Sequence, residues 1–204
     1  LGMMYLDGRG VPRDPAKAAD LFEKAAASGE ISSTYNLAIL YLQGNARPAD
    51  PARAAQLFEQ AAVAGNADAQ YVLAQLYEQG RGVAQNDEAA TRWFAEAARL
   101  GNISAQVEYA IRLFNGIGTA VNEQASAQWF KRAADLGNPI AQNRLARLLL
   151  TGRGIAADPV EAAKYHLLAK AAGRQDAMLE QAFAQLTGEQ RQLAVASAQR
   201  WPAD

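Results

Sequence analysis

The chain holds one histidine and no cysteine, and that narrows the chemistry open to it. To hold zinc, His166 would need further nitrogen or sulfur ligands on neighbouring elements, and there is no second histidine and no thiolate to supply them. A carboxylate site for calcium would need a dense acidic loop, and none is present. The triplet GRG at 8–10, 80–82 and 152–154 suggests a phosphate loop, but no strand pattern precedes it and no Lys-Ser/Thr follows it. It reads as a turn that ends a helix. Asp87 and Glu88 are adjacent carboxylates, the residue type that can share acid–base work. They fall at a helix start, where the positive end of the helix dipole is reason enough for them. Serine is sparse, and no nucleophile-elbow pattern occurs. No catalytic residue, metal ligand or cofactor site is assigned, and the expectation is a protein that is not an enzyme.

Composition narrows the partners as well. The 204 residues are half apolar and carry a formal net charge of -1. Residues 1–102 hold 9 basic and 12 acidic side chains and residues 103–204 hold 11 and 9, so the halves differ only mildly, at -3 and +2. This is not the basic footprint that nucleic-acid binding requires, and no nucleic-acid partner is expected. No apolar run approaches the roughly 20 residues that cross a bilayer, so no direct membrane insertion is expected.

The elements that must position any site are set by an internal period. Gly8, Gly44, Gly80, Gly116 and Gly152 recur every 36 residues, as do Gly29, Gly65, Gly101, Gly137 and Gly173. Phe22, Phe58, Phe94 and Phe130 follow the same spacing, with His166 as the fifth member, which predicts a packed ring for His166. Each unit reads as two helices. In residues 67–102, Ala69, Leu73, Ala74, Leu76 and Tyr77 form a helical apolar stripe that Gly80 ends. Asp14, Asp50, Asn86, Asn122 and Asp158 are expected to cap the second helices. Pro15, Pro51 and Pro159 follow at the first helical position. The alanine series at 38, 74, 110 and 146 lets helix axes approach closely. One such pair cannot bury both of its apolar faces, so the pairs are expected to stack as an all-α solenoid of antiparallel helix pairs.

These residues carry a resemblance. "AQYVLAQLYEQGRGV" (69–83) and "WFAEAARLGN" (93–102) are similar to the Sel-one-like repeat, a subfamily related to tetratricopeptide repeats, and the 36-residue period fits that type. The resemblance covers residues 1 to 173 as five repeats, with Leu1 falling inside a helix, and the chain is expected to be a piece of a longer one. It implies a right-handed α-α superhelix. There are departures: "GNAR" (44–47) lacks the second glycine, so that loop must close differently, and Leu113 and Leu149 replace the tyrosine. Residues 174–204 are read as C-terminal capping helices, with Thr187 and Gln190 forming a capping box and the natural C-terminus near Asp204. Leu1, Met4 and Tyr5 are expected to expose an apolar face through which copies could self-associate.

The resemblance also implies a function: a non-enzymatic interaction scaffold or adaptor that binds another protein or a peptide segment along the concave face formed by the first helices. Spacing along those helices selects Tyr35, Ile39 and Leu42; Tyr71, Gln75 and Glu78; Val107, Ile111, Arg112 and Phe114; and Asn143, Arg144 and Arg147. The set turns from apolar to basic along the chain and would suit a peptide with apolar anchors and an acidic segment. The lysine–asparagine clamp that tetratricopeptide domains use for a free carboxylate is not reproduced. Resemblance and alanine-rich composition imply a bacterial protein linked to envelope regulation, assembly or signalling, with a periplasmic or other extracytoplasmic location expected and a cytoplasmic one left open. The alternatives are a peptidoglycan- or glycan-binding module, a cell-wall enzyme module and a structural spacer.

Overall fold

A computed structural model describes residues 1–201, and among these there are twelve α-helices and no strand. Two compact units divide the chain, one over Leu1–Asn102 and one beginning at Ile103. The first contains α1 (Gly2–Asp7), α2 (Pro15–Ala27), α3 (Ile31–Gln43), α4 (Pro51–Val63), α5 (Ala67–Gln79) and α6 (Asp87–Arg99). The second contains α7 (Ile103–Asn115), α8 (Glu123–Asp135), α9 (Pro139–Thr151), α10 (Pro159–Ala171), α11 (Ala177–Gln185) and α12 (Gly188–Gln199). Within each unit the helices pair in sequence order: α1 with α2, α3 with α4 and α5 with α6 in the first, α7 with α8 and α9 with α10 in the second. Each later pair stacks on the one before, through α2 on α3, α4 on α5 and α8 on α9.

Local chemistry sets the helix lengths. The side chains of Asp14, Asp50, Asn86, Asn122 and Asp158 accept from backbone N–H groups of the first turn, as expected from their spacing. Gly44, Gly80 and Gly152 end α3, α5 and α9 in the left-handed conformation, where their N–H groups close onto the last turn. A second set of caps, Glu30, Asn66 and Asn138, starts α3, α5 and α9. Their signal was legible as a polar residue after each glycine of the Gly65 series.

One backbone bond recurs in every hairpin. The N–H of the capping residue donates to the carbonyl nine residues earlier: Asp14 to Tyr5, Asp50 to Tyr41, Asn86 to Tyr77, Asn122 to Leu113 and Asp158 to Leu149, at 2.8–3.0 Å. It holds the start of the second helix against the end of the first. Because the acceptor is main chain, Leu113 and Leu149 can stand where the other repeats carry tyrosine.

The GRG triplet does more than turn the chain. A Cβ on Gly82 would fall inside 3.0 Å of the Pro51 carbonyl at the start of α4, and one on Gly154 would meet the Glu123 carbonyl at the start of α8. The second glycine is therefore the point where a loop presses on the preceding repeat. In the second repeat Ala46 occupies this position, and no residue other than glycine takes a positive φ among the described residues. That loop does close differently, with Arg47 donating to Tyr41, Asp20 and Glu23.

Alanines 38, 74, 110 and 146 are completely buried, and so are the rings of Phe58 and Phe94. Gln70 and Gln142, which share a repeat position, turn inward and donate to the carbonyls of Ala62 and Ala134 near the ends of α4 and α8. Those carbonyls also accept from the N–H groups of Gly65 and Gly137, so each glutamine adds a second donor at a helix end. Beyond the last repeat, α12 packs on α10 rather than pairing with α11. Its start is the expected capping box, in which Thr187 accepts from the Gln190 N–H and the Gln190 side chain accepts from the Thr187 N–H. Trp201 reaches the Gly137 turn. The expectation concerning Asp204 lies outside the described residues. At the other end Leu1 and Met4 are exposed, whereas Tyr5 is half-buried beneath the Lys17 ammonium, 4.3 Å above its ring.

Candidate functional site

The residues selected by spacing do not share one environment. In the N-terminal unit Tyr35 sets its ring edge-on to Phe58 and Tyr71 does the same to Phe94, each with centroids 5.7 Å apart. Ile39 and Leu42 pack on the core of that unit. Gln75 Nε2 donates to the Tyr71 hydroxyl at 3.1 Å, and Glu78 is half-buried beside it on the same helix.

In the second unit two of the selected residues are not surface groups. Val107 is 3 % exposed and Arg112 is 2 % exposed, so neither lines an open face. Repeat register gives the reason. Arg112 takes the inward position that Leu40, Leu76 and Leu148 hold in the other repeats, all of them buried. Val107 takes the position of Tyr35 and Tyr71 but has no polar tip to carry it outward.

Four of the selected residues meet. Ile111 and Phe114 from α7 and Arg144 and Arg147 from α9 line a pocket of about 280 Å³. Leu148 and Thr151 add to it from α9, Met178 enters from α11, and Arg153 closes one side from the loop after α9. The Arg153 guanidinium lies 4.4 Å over the Phe114 ring and pairs with Glu123. Arg81, the equivalent residue of the third repeat, donates to the Leu42 carbonyl at 2.9 Å, so the middle residue of GRG reaches back over the preceding repeat in both units. Met178 and Arg153 escaped the face-by-face reading because one lies beyond the repeats and the other in a loop.

Asp176 organises the rim. It caps α11, accepting from the Leu179 N–H, and it also accepts from Arg147 Nε at 2.7 Å and Asn143 Nδ2 at 2.9 Å. Burial works against its charged form, but the bonds from Arg147, Asn143 and the Leu179 N–H outweigh this and hold its pKa at about 2. The folded-state pKa lies below the ordinary 3.8, so this contribution is complete above about pH 4 and is lost as pH falls toward 2. It is worth about 2 kcal/mol. Asp176→Asn keeps a capping side chain but removes the charge, and is expected to cost about 1–2 kcal/mol at neutral pH. In paired urea titrations the gap between wild type and variant should close between about pH 4 and pH 2; a gap that does not change with pH would contradict the pairing.

The pocket is equipped for binding rather than covalent chemistry. The Thr151 hydroxyl is spent on the Arg147 carbonyl at 2.8 Å. Arg147 engages Asp176 through Nε, leaving its terminal nitrogens without a partner among the described residues, and Arg144 has no hydrogen bond or ion pair among them. His166 lies elsewhere, 1 % exposed, with its ring against Phe183 and Nε2 3.4 Å from Glu180, a packed ring as its place in the phenylalanine series predicts. Tyr165, buried and donating to Asp135 at 2.5 Å, has its pKa pushed up to about 12, chiefly by burial. It stays a neutral donor at ordinary pH. No helix among the described residues is long and apolar enough to cross a membrane.

Comparison with known proteins agrees with the repeat register. The crystal structure of a protective antigen present in uropathogenic Escherichia coli strains, displaying an SLR fold, is similar at a TM-score of 0.88 and 28 % identity. The match covers 96 % of this chain and 43 % of the antigen, so this chain spans less than half of that protein's length. A Sel1 repeat protein from Oxalobacter formigenes is similar in fold at a TM-score of 0.81 and 23 % identity, over 98 % of this chain and 84 % of that one. Among curated proteins none matches the chain. Sel1 repeat proteins generally act as non-catalytic scaffolds that bind other proteins. The Sel1 repeat model matches residues 1–30, 31–66, 67–102, 103–138 and 139–173, and the chain belongs to the Sel1 repeat family.

Proposed function

We propose that this protein is a bacterial interaction scaffold, without catalysis of its own, that holds a segment of a partner polypeptide in the pocket between α7, α9 and α11. The observation that carries this reading is the pocket itself. Apolar side chains of Ile111, Phe114 and Met178 sit there beside two arginines with unspent donors. Half-buried Ile111 and Phe114 with exposed Met178, beside unsatisfied cationic donors, are the makings of a recognition site. A setting in the bacterial envelope, exported to the periplasm or beyond, is part of the proposal. It is supported by the family and by likeness to an antigen. A glycan-binding role draws less support. Trp129 meets Tyr109 edge-to-face and is covered by Arg132, and Trp93 packs on the core with Arg92 5.8 Å from its ring, so both rings already have partners.

A photo-crosslinking residue placed at Met178 tests the reading in cells of the source organism. The expected result is an adduct with a polypeptide, identifiable by mass spectrometry, that is missing when the same residue replaces exposed Leu193 on α12. Absence of any polypeptide adduct at 178 would overturn it, and saturable binding of muropeptides would then favour the glycan reading.

A further inference from the structure

The pocket's size and charge define the class of segment it accepts. Its volume of about 280 Å³ falls just under the ~300–1,000 Å³ typical of pockets that enclose small-molecule ligands. It has room for a side chain or two presented by a longer chain that lies across the opening. The apolar lining comes from Ile111, Phe114, Leu148 and Met178, and the thioether of Met178 can adjust to aliphatic or aromatic guests.

The charges around the opening do not cancel. Arg153 pairs with Glu123 and Arg147 with Asp176, which sets two carboxylates against three guanidiniums and leaves Arg144 over. Arg147 is engaged at Nε alone, so the edge of its guanidinium formed by the terminal nitrogens still has donors to give. The scaffold does not require these residues. The position of Arg144 is Asn36, Val72 and Glu108 in other repeats, and that of Arg147 is Ile39, Gln75 and Ile111. A planar guanidinium held in place by Asp176 matches a carboxylate better than it would a hydroxyl or amide.

We propose that the occupant is an acidic stretch of a partner polypeptide. One apolar side chain enters between Ile111, Phe114 and Met178, and flanking Asp or Glu carboxylates accept from Arg144 and the terminal nitrogens of Arg147. This rests on the scaffold reading above and specifies its partner. A nucleic acid is the poorer fit. The excess charge is one arginine at one opening rather than a basic track, and affinity for a phosphate backbone grows with the number of phosphates neutralised.

The test is selection of a random peptide library, displayed on phage, against the full chain. Enriched sequences should place Leu, Ile, Phe or Met within two residues of an Asp or Glu. A synthetic copy of the leading sequence, with Asp and Glu changed to Asn and Gln, should bind about tenfold more weakly or worse, and binding of the original should weaken as salt rises. Arg144 is exposed and unpaired among the described residues, so Arg144→Glu should leave the melting temperature unchanged while costing about tenfold in affinity. Arg191→Glu on α12 should cost nothing.

Neutral or basic winners, full binding by Arg144→Glu, equal competition by duplex DNA, or no enrichment at all would each overturn the acidic-segment proposal. The scaffold reading fails separately. A polypeptide adduct at residue 178 from a partner segment without acidic residues would sink only the chemistry proposed here, whereas the absence of any polypeptide adduct would sink both.

Discussion

Phe94→Ala is expected to destabilise the N-terminal unit by about 3–5 kcal/mol, the range for removing a fully buried aromatic ring. Phe94 is 0 % exposed, Tyr71 meets it edge-on at an interplanar angle of 61°, and it is buried together with Ala90, Ala97 and Ala98 of its own helix. Alanine neighbours are what make the loss large. They have no side-chain length with which to relax into the space, so the cavity persists, and its surface adds to the lost transfer energy. Tyr71 also loses an edge-to-face contact of about 0.5–1.5 kcal/mol. Urea unfolding followed by circular dichroism should show a lower midpoint. Phe94→Leu should lie between the variant and wild type. A loss below about 1 kcal/mol would mean that the repeat closes over the gap, contrary to the rigid packing inferred from its alanines.

The second large effect separates two glycines of one loop. Gly152 and Gly154 have nearly equal positive φ values, 72° and 70°. A side chain at either must adopt the left-handed conformation, costing about 1–2 kcal/mol. A Cβ on Gly152 would meet nothing nearer than Ala157 Cβ at 3.6 Å, ordinary contact. A Cβ on Gly154 would strike the Glu123 carbonyl, main chain at the start of α8 that cannot swing aside as a side chain would. Gly152→Ala should therefore cost about 1–2 kcal/mol. Gly154→Ala should cost about 2–5 kcal/mol, once the overpacking strain of about 1–3 kcal/mol is added. Denaturant titrations of the two variants side by side decide the matter. Equal losses would show that the loop lifts away freely and that the second glycine is a turn residue like the first. The same comparison bears on the pocket, because Arg153 lies between the two glycines and depends on the loop lying down.

The primary structure determined by itself whatever depends on short-range bonds and on the period. Asp14, Asp50, Asn86, Asn122 and Asp158 were recognisable as caps because a capping side chain bonds two or three residues along its own chain. The turn glycines were recognisable because L side chains avoid positive φ. Helix pairing followed from the 36-residue repeat, since each apolar stripe must be covered by the next element in line.

Side-chain placement was legible only in part, and the division is physical. Spacing on a helix tells which residues share a face, but not which side of that face a neighbour covers. Ile111 and Phe114 line one pocket with Arg144 and Arg147. Arg112, one residue round the helix from Ile111, went to the core position of Leu40 and Leu148 instead. Bonds between distant residues left no mark in local sequence. Only tertiary structure brought Asp176 to Arg147, twenty-nine residues away, put Arg153 over Phe114 and turned α12 onto α10. These contacts join separate helices and loops, and a period along the chain carries no information about the distance between two surfaces until the helices that bear them have packed.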